Sequence, residues 1–433
     1  MRALSATPPT SEAPPPEADP QDSPAEGTSH ATTSALQTEA PPAETPAPAA
    51  EDSDEPSAQA LAQAAAGAVV DVRPARVKFR KKSGLRAELN RRVEAYFEET
   101  GISSASEGLS MWFKTLILIT TLATTWAALM IWATTWWQLV ALAFVGGLAM
   151  AGIGFCVMHD GSHGAYSKSK AWNRIMASTL DLVGGSSYMW RFKHNVLHHT
   201  YPNIEGLDDD IEAQPFLRMA EGQGYRPWHK LQHLYLWAAY ALLPVKWHFV
   251  DDYRSYLTGK INGQSFVRPK GAELALFLFG KTFFYSWVLI LPLLYHSPLW
   301  VLASYAILAG TAGVTLGTVF QLAHCVEGVE FTEIPMSGQM DNPWAEHQLA
   351  TTANFSPKSR FLTWYLGGLN YQVEHHLFPR VGHTHYPAIS KIVQEVCAEF
   401  GVQHRTQPTL WKALAAHVGY LKGLGHPAPL ELA

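Results

Sequence analysis

Two runs of 23 residues almost free of charge set the first limit on what this chain can become. Residues 111–133 read MWFKTLILITTLATTWAALMIWA and residues 136–158 read WWQLVALAFVGGLAMAGIGFCVM, with two threonines between them. Each matches the ~20 residues that an α-helix needs to cross the hydrocarbon of a bilayer. A second pair follows at residues 274–295 and 299–323, joined around His296, Ser297 and Pro298, with Lys281 interrupting its first member. Four such runs in two tight pairs predict an all-α integral membrane protein whose four spans form two hairpins, rather than four buried core helices. Composition agrees. Hydrophobic residues make up 47% of the 433 and charged residues 16%, against roughly 25% charged in a soluble domain.

The net charge of -5 conceals two opposite segments. Residues 1–58 carry eleven Asp/Glu and one Arg, hence -10, and the remainder carries 31 Lys/Arg and 26 Asp/Glu, hence +5. Residues 1–67 are rich in Pro, Ala, Ser, Thr and Glu and are expected to be a disordered acidic tail, lacking the apolar surface to offset chain entropy. This segment has no apolar run like that of a signal peptide, and its acidity is unlike a transit peptide. Residues 68–110 form a basic pre-membrane segment, with nine Lys/Arg between positions 73 and 92. Neither hairpin turn holds any, so the positive-inside rule puts both termini and the long central segment in the cytoplasm. Residues 230–250 are apolar but broken by Pro244 and by charges, which suits a helix lying in the interface. Cys156, Cys325 and Cys397 show no C-x-x-C spacing, excluding a disulfide scaffold or zinc ribbon and fitting a reducing compartment.

The histidines fall at the cytoplasmic ends of these spans. His159 and His163 follow the second span directly, and His194, His198 and His199 come 35 residues after His159. Two spans, out and back, then precede Gln372, His375 and His376, so the three clusters share one face. On a helix, positions four apart lie on one side, whereas adjacent positions diverge by roughly 100°. The pairs His198/His199 and His375/His376 therefore aim at two points, as a dinuclear centre requires and a single metal does not. Imidazole suits zinc, copper, iron and nickel, but so many histidines suit a di-iron pair with open positions for oxygen best. His324, at the end of the fourth span, joins the set. Gly161 and Gly164 weaken the helix at the first cluster.

HDGSH, HNVLHH and QVEHH, in that order, resemble the three histidine boxes of membrane fatty-acid desaturases. The likeness runs over residues 105–420 and includes HGAYSKSKAWNR, HHTYPN, FQLAHCVE, WAEHQLATTANFS and LGGLNYQVEHHLFP. Gln372 in the first place of the third box resembles the front-end desaturases, particularly bacterial and cyanobacterial Δ6 acyl-lipid enzymes. The resemblance implies a desaturase domain over residues 111–425. It also implies two non-haem ferrous ions held by His159, His163, His194, His198, His199, His324, His375 and His376, with O2 as co-substrate. An apolar, bent tunnel would take a fatty acyl chain, as acyl-lipid or acyl-CoA, and a cis double bond would form. Asp160 and the run Asp208, Asp209, Asp210 are candidates to orient the imidazoles. Gln372 is expected to orient a ligand or an iron-bound water. Asn203, Thr351, Thr352 and Asn354 match family positions without an assigned role.

Many front-end desaturases carry a fused cytochrome b5 with a His-Pro-Gly-Gly motif, which this sequence lacks. Electrons are then expected from a separate ferredoxin or cytochrome b5. Residues 73–92 either dock that acidic donor or fix topology on anionic lipid. No nucleic-acid partner is expected. A related di-iron hydroxylase would share the metals but insert oxygen, and a sphingolipid desaturase would share the glutamine. A metal transporter would instead place ionisable groups near the midplane of the bilayer. The acidic tail holds a single histidine, His30. Deleting residues 2–60 is therefore expected to leave the position of the new double bond unchanged when defined fatty acids are fed to an expressing host.

Overall fold

The structure, a computed structural model, describes residues 77–426 apart from Lys82, Ser106 and Glu107. The acidic tail lies outside the described residues. Four helices are long and apolar enough to cross a membrane: Leu109–Ile131, Trp136–His163, Ala272–Tyr295 and Pro298–His324. They coincide with the four apolar runs, each shifted or extended by a few residues. Their outward faces carry exposed Phe113, Leu116, Phe144, Leu278 and Phe283, a pattern suited to a lipid environment. Trp132, Trp136, Trp137 and Tyr295 gather at the turns, also exposed, where amphipathic rings favour the membrane–water boundary.

Local chemistry sets the helix ends. Thr135 and Gln138 form a capping box at the start of the second span, satisfying amides that have no partner inside the helix. Pro298 opens the fourth span and the Ser297 hydroxyl accepts from the Trp300 amide, using a position where proline's missing N–H costs nothing. Pro292 lies inside the third span, where a proline ordinarily breaks a helix. Here a π-helical turn, Ser286–Ile290, immediately precedes it, and the helix continues to Tyr295.

Lys281 does not face lipid. It is 5% exposed, and its ammonium donates to the Gly184 carbonyl at 2.6 Å and pairs with Asp252 at 2.7 Å. The third span thus begins at Ala272, ahead of this charge. The apolar stretch 230–250 forms short helices, Gln232–Ala241 and Leu243–Lys246, below spanning length, and packs against the fourth span. Gly313 and Gly317 make that contact possible: a Cβ on Gly313 would lie 2.3 Å from the Tyr240 carbonyl oxygen.

Beyond the spans, helix Tyr386–Phe400 buries Ile389, Val393 and Val396 against Leu85, Leu89 and Val93 of helix Gly84–Thr100. The basic pre-membrane segment is thereby tied down. Arg91 pairs with Glu88, Arg92 pairs with Glu88 and Glu399, and Arg86 lies over the Trp344 ring. The second and fourth spans cross at Gly147, where a Cβ would lie 2.5 Å from the Leu308 carbonyl oxygen. Gly147→Val is expected to cost roughly 1–3 kcal/mol through overpacking, read as a lower thermal unfolding midpoint in detergent. Gly419→Ala, with nothing within 4 Å of the added carbon, serves as the control and is expected not to lower it.

Candidate metal centre

Three short helical segments bring the histidines together. The second span passes through a π-helical turn, Ile153–Met158, before the α-helical turn His159–His163. Gly161, a weak helix former, lies inside this turn for a packing reason. It lets helix Lys170–Ala177 approach so closely that a Cβ would meet the Ala177 amide nitrogen at 2.6 Å. Gly164 closes the turn in the left-handed conformation at φ 74°, which glycine adopts freely.

The second cluster corrects the expectation of an ordinary helical pair. Residues Arg191–His198 also form a π-helical turn, closed by i→i+5 hydrogen bonds. In that wider turn, positions four and five apart share a side, so His194 faces both neighbours. Its ring stacks on His198 with centroids 5.1 Å apart, and its Nε2 lies 3.2 Å from Nε2 of His199. The adjacent histidines still diverge, by 78° between the planes of His198 and His199 and by 88° between those of His375 and His376.

All eight histidines converge. One group joins His159, His163, His194 and His375, and another joins His198, His324 and His376, with ligand atoms inside each group no more than 4.8 Å apart. His199 stands between them, its ring 4.5 Å from His375 and 4.4 Å from His376. Gln372 enters the second group, with its Nε2 3.1 Å from Nε2 of His324.

The far side of several rings is pinned. The His198 Nδ1–H donates to Asp208 at 3.0 Å, that of His324 to the Thr351 carbonyl at 3.2 Å, and that of His376 to Gln348 Oε1 at 2.8 Å. The Nδ1 of His375 meets the Tyr386 hydroxyl at 3.0 Å. These contacts turn Nε2 toward the centre, as outer partners of metal-bound imidazoles do. Inside, Nε2 of His163, His375 and His376 is buried without a hydrogen-bond partner, a costly state unless a cation accepts the lone pairs. The donor set therefore fits metal.

Burial pushes His199, His375 and His376 well below the usual histidine range, and crowding by other imidazoles adds to it. His194 is pushed down to about 3, burial outweighing Asp210. His198 goes the other way. Burial lowers it, but the carboxylates of Asp208 and Asp210 prevail and raise it. The neutral imidazoles are the form that binds metal.

The acidic residues divide their work. Asp208 holds His198 and also accepts from the Asn203 amide at 2.9 Å. Asn203 sits at φ 56°, and its side chain donates to the carbonyls of His324 and Glu330. It thus links two ligand-bearing segments. Asp209 pairs with Lys193 at 2.8 Å, and Asp210 lies 3.5 Å from His198 and 3.7 Å from His194. Asp160 differs from expectation: its nearer oxygen is 4.0 Å from His159, whereas it accepts from His383 Nδ1 at 2.7 Å. His383 in turn meets the Lys114 ammonium at 2.8 Å. A carboxylate buried beside that histidine and cation is drawn to them, which the sequence order does not reveal. Asn354 accepts from the Val373 amide at 2.9 Å and donates to Glu374 at 2.7 Å, fixing the start of the helix that carries His375. Thr351 and Thr352 cap the end of helix Trp344–Thr351 through hydroxyl bonds to His347 and Gln348.

Two apolar cavities reach the cluster. The wider, about 560 Å³, lies between the stretch around Leu217, the helices of residues 232–251 and the fourth span, and touches His194 and Asp210. The narrower runs between the second and fourth spans to His159. Trp190, Trp247 and Phe320 belong to the walls of both, and Trp190 stacks on His194 at 4.2 Å.

The sequence model for fatty acid desaturase matches residues 134–408. Over 348 residues the chain is 38% identical to an sn-1 linoleoyl-lipid 6-desaturase of Arthrospira platensis, which covers 80% of this chain and 94% of that protein. A namesake from Synechocystis sp. is 38% identical over 352 residues, 81% of this chain and 98% of that protein. An acyl-lipid (8-3)-desaturase of Physcomitrium patens is 38% identical over 343 residues, 78% of this chain and 71% of that protein. The chain belongs to the fatty acid desaturase family. It is a membrane oxidoreductase that desaturates fatty acyl chains at a buried histidine-rich metal site, as its sequence led one to expect.

Asp208 is the carboxylate most directly committed to a ligating ring. Asp208→Ala is expected to weaken metal binding roughly 10- to 100-fold, measured by equilibrium dialysis. Asp209→Ala, which removes only a partner of Lys193, is expected to weaken it far less.

Proposed function

We propose that this enzyme is a front-end acyl-lipid desaturase of the Δ6 type. One O2, two electrons and two protons convert a –CH2–CH2– unit into a cis –CH=CH– and two waters, on the carboxyl side of an existing double bond. The observation that carries this reading is the paired imidazole cluster, buried at the throat of an apolar cavity in a chain so similar to linoleoyl-lipid 6-desaturases. When bound, a pair of ferrous ions supplies the redox chemistry that unactivated C–H bonds demand. His159, His163, His194 and His375 would hold one ion and His198, His324 and His376 the other, with His199 between them. The wider cavity takes one arm of the acyl chain and the narrower cavity the other, so that Trp190 and Phe320 press the reacting methylenes toward the cluster and exclude water. The spans cross as two hairpins, and the histidine-bearing helices form a cap on the cytoplasmic side, as the basic residues before the first span support.

Feeding defined fatty acids to a host without polyunsaturated lipids, and locating the products by gas chromatography–mass spectrometry, tests the reading. A new double bond between an existing one and the carboxyl end is expected. A hydroxylated product, or a bond confined to sphingoid bases, overturns it.

Purified protein is expected to contain about two irons per chain, and His199→Ala or His375→Ala to lower iron and activity together. Gln372 acts differently in this scheme, because a neutral amide binds iron poorly yet donates and accepts hydrogen bonds. Gln372→Ala is expected to keep most of the iron and lose most of the turnover, and His324→Ala to lose iron. Metal analysis beside the product assay separates these roles.

A further inference from the structure

Each double bond consumes two electrons that the acyl chain and oxygen do not themselves supply, so a reduced partner must come close to the buried cluster. The eight histidines are not equally sealed. His163 is 9% exposed, while the other seven lie at 5% or less. His163 lines a cleft of about 1000 Å³. The cleft opens beside the starts of the first and third spans, at residues 101–105 and at Glu273 and Leu276. Among the described residues, its charged lining comprises Lys168, Lys170, Arg174, Arg191 and Arg380 against one acid, Glu273, so that cations predominate there. Glu273 pairs with both Arg174 and Arg191, at 2.9 and 3.3 Å. Lys170 and Arg380 pair with no carboxylate among the described residues.

This cleft shares no lining residue with either apolar cavity. Its walls are mostly glycine, serine, asparagine and cations, which offer an acyl chain no apolar path. The cluster is thus approached from two sides: by apolar cavities at His159 and His194, and by a basic, polar cleft at His163. The other basic surface, the pre-membrane helix, has Arg91 and Arg92 already engaged with Glu88 and Glu399.

We propose that the cleft over His163 is the docking site of a soluble, acidic one-electron carrier, which delivers electrons one at a time toward the metals through the imidazole at its floor. This rests on the reading of the chain as an oxygen-dependent desaturase with its histidine face in the cytoplasm. Complementary charge would set the encounter and its orientation, and salt would weaken it as surface charges are screened.

The test measures binding of a purified acidic [2Fe–2S] ferredoxin to the full-length, iron-loaded protein in detergent micelles, by titration at low and at physiological ionic strength. Lys170→Glu combined with Arg380→Glu is expected to raise the Kd about tenfold or more at low salt and to flatten its salt dependence. Lys81→Glu combined with Arg86→Glu, on the pre-membrane segment, is expected to change it by less than about twofold. Iron content and unfolding midpoint report whether each variant is folded. Lys170→Gln with Arg380→Gln, a milder change, is expected to give a smaller rise in the same direction. Unchanged ferredoxin affinity in the folded cleft variants overturns the proposal. So does a loss confined to the pre-membrane variant, or a loss of binding to vesicles of anionic lipid with ferredoxin affinity intact, which assigns the cleft to a lipid headgroup. Binding is read without product formation, so a parent protein that binds ferredoxin in the cleft yet makes no double bond refutes the desaturase reading and not the docking site.

Discussion

A neutral imidazole has one hydrogen to give. In His198, His324 and His376 it is given on the outer side, to Asp208, to the Thr351 carbonyl and to Gln348, and the inner nitrogens are turned into the cluster, that of His324 toward the Gln372 amide. Nε2 of His194 lies 3.2 Å from that of His159 and 3.2 Å from that of His199, in a region that water does not reach. Protonation offers little relief, since burial and mutual repulsion hold His199, His375 and His376 neutral. Cations are what such an arrangement lacks. The packing of the membrane-proximal half serves this demand: close helix crossings at glycine, side chains that clamp ring orientations, and an acid ladder behind the second cluster.

Much of this was legible from the residues. The spans announced themselves by length and hydropathy, and the eight histidines by order and by the side of the membrane on which each must emerge. His324 was the test of that reasoning. As a lone histidine at a helix end it says little, yet the chain returns it to the same face, and it stands 4.6 Å from His198 between ring centroids. Local turn chemistry was less visible. Nothing in IGFCVM or RFKHNVLH distinguishes a π-helical turn from an α-helical one, because the difference is decided by what packs outside it. Asp160 shows the same gap. Its neighbour in sequence is His159, but its partner in space is His383, 223 residues away. The functions of Asn203 and Gln348 were hidden for the same reason, although both lie in stretches, HHTYPN and WAEHQLATTANFS, that bear the family likeness.

Charges within the spans follow one rule. Lys114 and Lys281 both lie in membrane-length helices, and both turn inward to a specific partner, His383 and Asp252. A cation at such depth is tolerated where it meets protein groups rather than lipid. Each therefore acts as a tether that joins a span to the histidine-bearing part of the molecule: Lys114 toward the third box, Lys281 toward the helices after the second.

The π-helical turns beside the first two histidine clusters also bear on how such a chain can change over time. A π-turn accommodates one residue more than the α-helical turn it replaces, so removing a single residue from Ile153–Met158 or Arg191–His198 would restore the regular helix, leaving residues beyond the turn in phase but changing which positions inside it share a side. For Arg191–His198 that change would fall on His194 and His198 themselves, so the extra residue is part of what places those imidazoles.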